Sequence, residues 1–183
     1  MHELSARADG SHTKLVARFS FECLVYIEFH PCDCGSNGPM DVRIARQGEC
    51  DVAIYENSCG VCRRSRRFEF VIGSEYEAQS QIVDAGQWLL VAERIARRLP
   101  ADLQSMSEEE RGWAGRELER AVVALEEALK FVPDDDDRVP FAALFSEGGK
   151  ALHGDDPGRF RKPRIEAIVA VYRDSLERLP RTQ

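Results

Sequence analysis

The cysteine distribution constrains this chain most. Its six cysteines all fall between Cys23 and Cys62, and the last 121 of the 183 residues have none. Four of them form two tight groups, Cys32-Asp33-Cys34-Gly35 and Cys59-Gly60-Val61-Cys62. Two thiolates on one turn that face two on another make a tetrahedral metal site. A glycine beside the cysteine lets backbone amides turn toward sulfur without a Cβ clash. The N-terminus lacks the apolar run of a secretory signal, so a cytoplasmic, reducing setting is expected. There, clustered thiols favour a metal over disulfides. Four sulfurs also close the coordination shell. A structural Zn2+ held by Cys32, Cys34, Cys59 and Cys62 is therefore expected, not a catalytic ion with an open position.

The residues around these turns have a strand period. From Leu15 to Phe29 the odd positions are Leu, Ala, Phe, Phe, Cys, Val, Ile and Phe, which predicts one long bent strand or two collinear ones. A short strand over Val42 to Arg46, a Gln47-Gly48 turn, a return strand with Cys50, Val52 and Ile54 on its apolar face, and a last strand through Phe68, Phe70 and Ile72 follow. Four antiparallel strands are the economical arrangement. In it the hairpin returns Cys59 and Cys62 to the end of the sheet where Cys32 and Cys34 lie. Cys23 and Cys50 fall on the strands' apolar faces and are expected to be small buried hydrophobes.

Paired-cysteine turns joined by antiparallel strands resemble a zinc ribbon over about residues 29–70, as a structural class. The first pair departs from that pattern, because only Asp33 separates its cysteines. This leaves His30 and Cys50 open as substitute ligands.

Beyond residue 77 the period becomes helical. Asp84 caps a helix with Trp88, Val91, Ala92, Ile95 and Leu99 inward, stopped by Pro100. Ser107 and Glu110 have capping-box spacing and open a long helix that ends at Pro133. A further helix is expected after Pro140, weakened by Gly148-Gly149, and a last one from Pro163. The predicted fold is α+β: an antiparallel, zinc-stapled β-sheet followed by a small helical bundle. A tail over 1–11, a ribbon-like sheet over 12–77 and a helical unit over 78–183 packed on it are the expected divisions.

Other side chains support weaker functional readings. Arg63, Arg64, Arg66 and Arg67 follow the second cysteine turn and form a candidate contact for phosphate or an acidic partner. They also have a local reason to exist, since four thiolates around one zinc leave a formal −2. Asp134, Asp135, Asp136 and Asp137 lack the spaced ligands of a calcium loop and read as a solvated connector or part of an acidic contact surface. Asp156 caps a turn opened by Pro157. Trp88 is expected in the core and Trp113 at the surface. No phosphate loop, nucleophile elbow or two-histidine metal motif is present.

The net charge is −7, and it is spread evenly: −3 over residues 1–77 and −4 over 78–183. Neither half is a basic domain, which disfavours a nucleic-acid backbone as partner. Charge and motifs together predict a non-enzymatic protein-binding module. Its acidic surface would meet a basic partner, with an inhibitor or immunity-type antagonist as one form of such a role. The alternative is a nucleic-acid-binding regulator that uses the ribbon and the arginine cluster. No run of about 20 apolar residues predicts a membrane span.

Overall fold

A computed structural model describes residues 15–73, 76, 78–100 and 106–179. The tail expected over 1–11 lies outside the described residues. The elements are β1 (Leu15–Ala17), α1 (Ser20–Phe29), β2 (Asp41–Gln47), β3 (Cys50–Ser58), β4 (Ser65–Ile72), α2 (Ala85–Arg98), α3 (Glu108–Leu129), α4 (Glu147–Asp155) and α5 (Lys162–Arg178), with 3₁₀ turns at Phe141–Ala143 and Pro157–Phe160.

The sheet has four strands in the order β1-β4-β3-β2. β2, β3 and β4 form an antiparallel meander. β1 runs parallel to β4, with Leu15 opposite Phe70 and Ala17 opposite Ile72. The sheet is therefore mixed, not antiparallel throughout. A parallel pair needs a crossover, and α1 lies on that crossover.

The long strand expected over Leu15–Phe29 is mostly this helix. Nearly every residue from Phe21 to Phe29 is apolar, so alternation and helical spacing both fit. The packing explains the composition. Cys23 and Ile27 join a cluster with Ala53, Tyr55 and Phe70 of the sheet. Val25 joins the larger helical cluster around Trp88, Leu125 and Ile165. A helix covered on both sides has no polar face to reveal its period. Its first turn is held by Arg18, whose backbone N–H donates to Glu22 Oε2 at 2.6 Å. The buried Arg18 guanidinium also reaches Glu127 Oε2 of α3 at 2.5 Å, and Lys130 reaches Glu127 Oε1 at 2.8 Å. These ion pairs tie α1 to the helical half, and their mutual pairing offsets the cost of burying charge.

In the β2–β3 hairpin Gln47 pairs with Cys50, so the turn residues are Gly48 and Glu49, one position later than expected. Gly48 has φ +63°, a conformation that glycine adopts without strain. The face of β3 that meets α1 carries Ala53 and Tyr55, opposite Phe70 and Phe68, and not Cys50, Val52 and Ile54. Val52 and Ile54 are nevertheless buried. Cys50 is exposed, contrary to the expected burial, because it sits at the hairpin tip beyond the covered part of the sheet.

The helical half follows its caps. Asp84 and Gln87 form a capping box at α2, and Ser107 and Glu110 form one at α3. Trp88 is fully buried, and Phe19 stacks on it at 6.3 Å. Trp113 is partly exposed, at 38%. After Pro140 the chain makes only the Phe141–Ala143 turn, and α4 starts at Glu147 with Gly148 and Gly149 inside its first turn. The glycines that weaken the helix propensity are there for space: a Cβ on Gly86 of α2 would lie 2.3 Å from the Gly149 Cα.

Candidate metal centre

The cysteine-bearing end of the sheet is built by three strand ends. The loop before β2 carries Cys32 and Cys34, and the β3–β4 connection carries Cys59 and Cys62. Each turn closes on itself. Gly35 N–H donates to the Cys32 carbonyl, with Gly35 at φ +81°, and Arg63 N–H donates to the Cys59 carbonyl at 2.9 Å, with Arg63 at φ 62°. The one-residue spacing of the first pair does not prevent convergence, because Cys32 N–H also donates to the Ser36 carbonyl at 3.0 Å and folds the loop back.

The four sulfurs lie within 4.8 Å of one another. Cys32 Sγ is 3.3 Å from Cys62 Sγ, and Cys34 Sγ is 3.6 Å from Cys59 Sγ. A metal–sulfur bond of about 2.3 Å places tetrahedral sulfurs about 3.8 Å apart, inside this range. The cluster can thus hold a metal ion, and its all-thiolate set suits zinc or iron. Cys32 and Cys59 are buried, while Cys34 and Cys62 are exposed.

The substitute ligands are elsewhere. His30 Nδ1 lies 2.7 Å from the Tyr26 carbonyl, and its ring stacks on Tyr26 at 3.9 Å. Cys50 is at the far tip of the hairpin. Cys23 is buried in α1, where burial and then the Glu22 charge push its thiol up to about 12, so it stays protonated.

Within the centre the thiols differ. Backbone N–H groups of Cys62 and Val61 pull Cys59 down to about 6. The Arg64 amide favours the Cys62 thiolate, but the Cys32 sulfur, burial and the Cys34 and Cys59 sulfurs outweigh it and push Cys62 up to about 12. Four adjacent sulfurs cannot all ionise unless a cation removes their repulsion. Acid should therefore release the metal. In the metal-free centre Cys59 keeps its thiolate above about 6 and loses it as pH falls through that value; a bound cation holds the thiolates ionised further down, until protons displace it. A chromogenic chelator is expected to capture little metal at about pH 7 and most of it near about pH 4; flat retention across that range would contradict the site.

Three of the four clustered arginines are used inside the chain. Arg64 pairs with Asp33, bridging the two cysteine turns. Arg66 is buried and donates to the His30 carbonyl at 2.7 Å. Arg67 pairs with Glu56 at 2.8 Å and with Glu69. Arg63 has no ion-pair partner among the described residues. The Asp134–Asp137 run is likewise divided. Asp137 accepts from Arg161 at 2.7 Å and pairs with Arg138, which also reaches Asp136, whereas Asp134 and Asp135 are exposed and without a cationic partner among the described residues.

The edge position of β2 was not legible as a candidate surface. Among the described residues β2 pairs only with β3, and Val42 and Ile44 are 57% and 64% exposed. The short alternation around these residues was visible, but strand order was not. No protein-family model, curated protein or solved structure matches the chain. Among the described residues no helix is long and apolar enough to cross a membrane.

Proposed function

We propose that the chain is a non-enzymatic protein-binding module, stapled by one structural zinc, that receives an extended segment of a basic partner protein along β2. The observation that carries this reading is the open edge. β2 is fixed at one end by the cysteine centre and at the other by the Gly48-Glu49 turn, yet no strand pairs with its outer edge among the described residues, and Val42 and Ile44 stand exposed on the sheet face beside that edge. An unprotected, pre-set edge costs little ordering on binding and suits strand addition. The charge supports a basic partner. Glu108, Glu109 and Glu119 on α3, with Asp134 and Asp135, have no cationic partner among the described residues, so much of the −7 is displayed to solvent.

The role of zinc follows from its shell. Four thiolates leave no open position for substrate, so the ion would hold the strand ends together. Elemental analysis is expected to find one zinc per chain; a coloured, iron-loaded preparation would replace the metal but not the staple.

Ile44→Lys tests the edge. Ile44 is exposed, so stability should change by no more than about 0.5 kcal/mol, while affinity for the isolated, sequenced partner should fall at least about tenfold. The wild-type association rate should drop between low and physiological salt, and an antagonist role would appear as loss of the partner's activity on binding. Tight duplex DNA or RNA binding that is lost on replacing Arg63 and Arg64 with Ala would overturn this reading for the nucleic-acid one.

A further inference from the structure

A hollow of about 280 Å³ lies among α2, α3, α4, α5 and the Pro157–Phe160 turn. Its floor is apolar: Leu89, Leu125 and Leu152 belong to the buried helical core, and Ile168 packs beside them. Its wall is cationic, with Arg97, Arg159 and Arg164 set against one lining carboxylate, Glu93. Glu93 accepts from Arg97 at 2.6 Å and from Arg159 at 3.0 Å. Asp156, just outside, accepts from Arg164 at 3.0 Å. Three guanidiniums thus share two carboxylates, which leaves one positive charge at an apolar hollow in a molecule of net charge −7. Arg159 stands between the two carboxylates, and its Nε is buried and makes no hydrogen bond, lying 3.5 Å from Asp156 Oδ2.

We propose that this hollow binds a small amphipathic carboxylate, with its apolar body on the leucine floor and its head group on Arg159. A cation would meet the surplus guanidinium charge. A neutral apolar molecule would fill the floor but leave the buried Nε donor unused. A carboxylate satisfies both, because a guanidinium presents paired donors that match its two oxygens. The volume is near the lower end for small-molecule sites, so a body of about eight carbons is the right scale. Tyr172 lines the same hollow; burial, and then the Glu93 charge, push its hydroxyl up, so it remains protonated and can donate. None of its lining residues is a cysteine of the metal centre or belongs to β2.

The test uses the full-length, metal-loaded protein with octanoate as probe and 1-octanol as its neutral counterpart, followed by isotope-edited NMR. Octanoate is expected to bind one site per chain with a Kd below about 1 mM, shifting the amides of α2, α4 and α5, and 1-octanol to bind at least about tenfold more weakly. Arg159→Gln should cost octanoate about tenfold in affinity while leaving octanol unchanged. Ala96→Phe, which fills the hollow from α2, should abolish both. Arg164→Gln provides a second charge removal if Arg159→Gln disturbs the fold. Absence of saturable octanoate shifts, equal affinity for the alcohol, or octanoate binding that survives both arginine changes would overturn the proposal.

Discussion

Serine in place of Cys59 or Cys62 is expected to destabilise the sheet by about 4 kcal/mol or more, and to lower the melting temperature by about 10 °C or more. The expectation rests on what the cysteine centre joins. Cys32 and Cys34 anchor the loop that enters β2, and Cys59 and Cys62 join β3 to β4. The apolar cluster beneath the sheet is small, with Ala17, Cys23, Ile27, Ala53, Tyr55 and Phe70 as its buried members. β2 adds no buried residue to it. A sheet with so little core would draw on the binding energy of a metal at this centre, which is folding energy when the site forms only in the folded state. Cys50→Ser is the control. Cys50 is exposed at the hairpin tip, so its replacement should cost no more than about 0.5 kcal/mol. Thermal unfolding with and without a strong chelator measures both. Small and equal losses for Cys50, Cys59 and Cys62 would show that the centre is not structural.

The second large effect is expected in the helical half, at Asp84. Its carboxylate is fully buried and accepts from Gln87 N–H at 2.8 Å, Phe145 N–H at 2.9 Å and Ser146 N–H at 2.6 Å. One side chain therefore caps α2 and fixes the chain entering α4. The positive ends of both helix dipoles and three amide donors compensate its burial. Asp84→Ala would orphan those donors and is expected to cost about 4–5 kcal/mol, or about 10–20 °C in melting temperature. Asp84→Asn should restore less than half of the loss, because its amide nitrogen cannot accept from a backbone N–H. A Cβ on Gly149 would sit 2.7 Å from Asp84 Oδ1 and 2.9 Å from Oδ2, so Gly149→Ala should cost about 3 kcal/mol through crowding alone. Urea unfolding of these variants provides the measurement. A Gly149→Ala protein as stable as wild type would mean that α4 can move away from α2, and that the close approach is not needed.

The helix ends of the second half were readable because capping chemistry is local. Asp84, Ser107, Ser146 and Asp156 each satisfy amides two or three residues ahead, so sequence spacing alone predicts the bond at three of them, and the structure adds Ser146. The four-cysteine centre was readable for a related reason. A hairpin between two cysteine turns returns the chain to its starting end, and thiolates have few other uses in such a cluster. The α1 segment was not readable. Its periodicity argument fails when both sides of a helix are apolar, and only the positions of the sheet and of Trp88 reveal that both sides are covered. Strand order was equally hidden. That β1 pairs parallel with β4, leaving β2 at the edge, depends on contacts between residues more than 50 apart in the chain.

The amino-acid sequence by itself determined the four-cysteine cluster that can hold a metal, the helix caps, most of the helix boundaries and the even spread of negative charge. Each of these depends on neighbours a few residues away or on composition. Tertiary structure alone decided the parallel edge strand and the burial of Arg18 between Glu22 and Glu127. It also decided the internal use of Arg64, Arg66 and Arg67, and the cationic wall of the hollow beside α2. The physical reason is that a charge acquires its role from the partner it meets in space. An arginine in a sequence reads as a free cation until the fold places a carboxylate or a carbonyl against it.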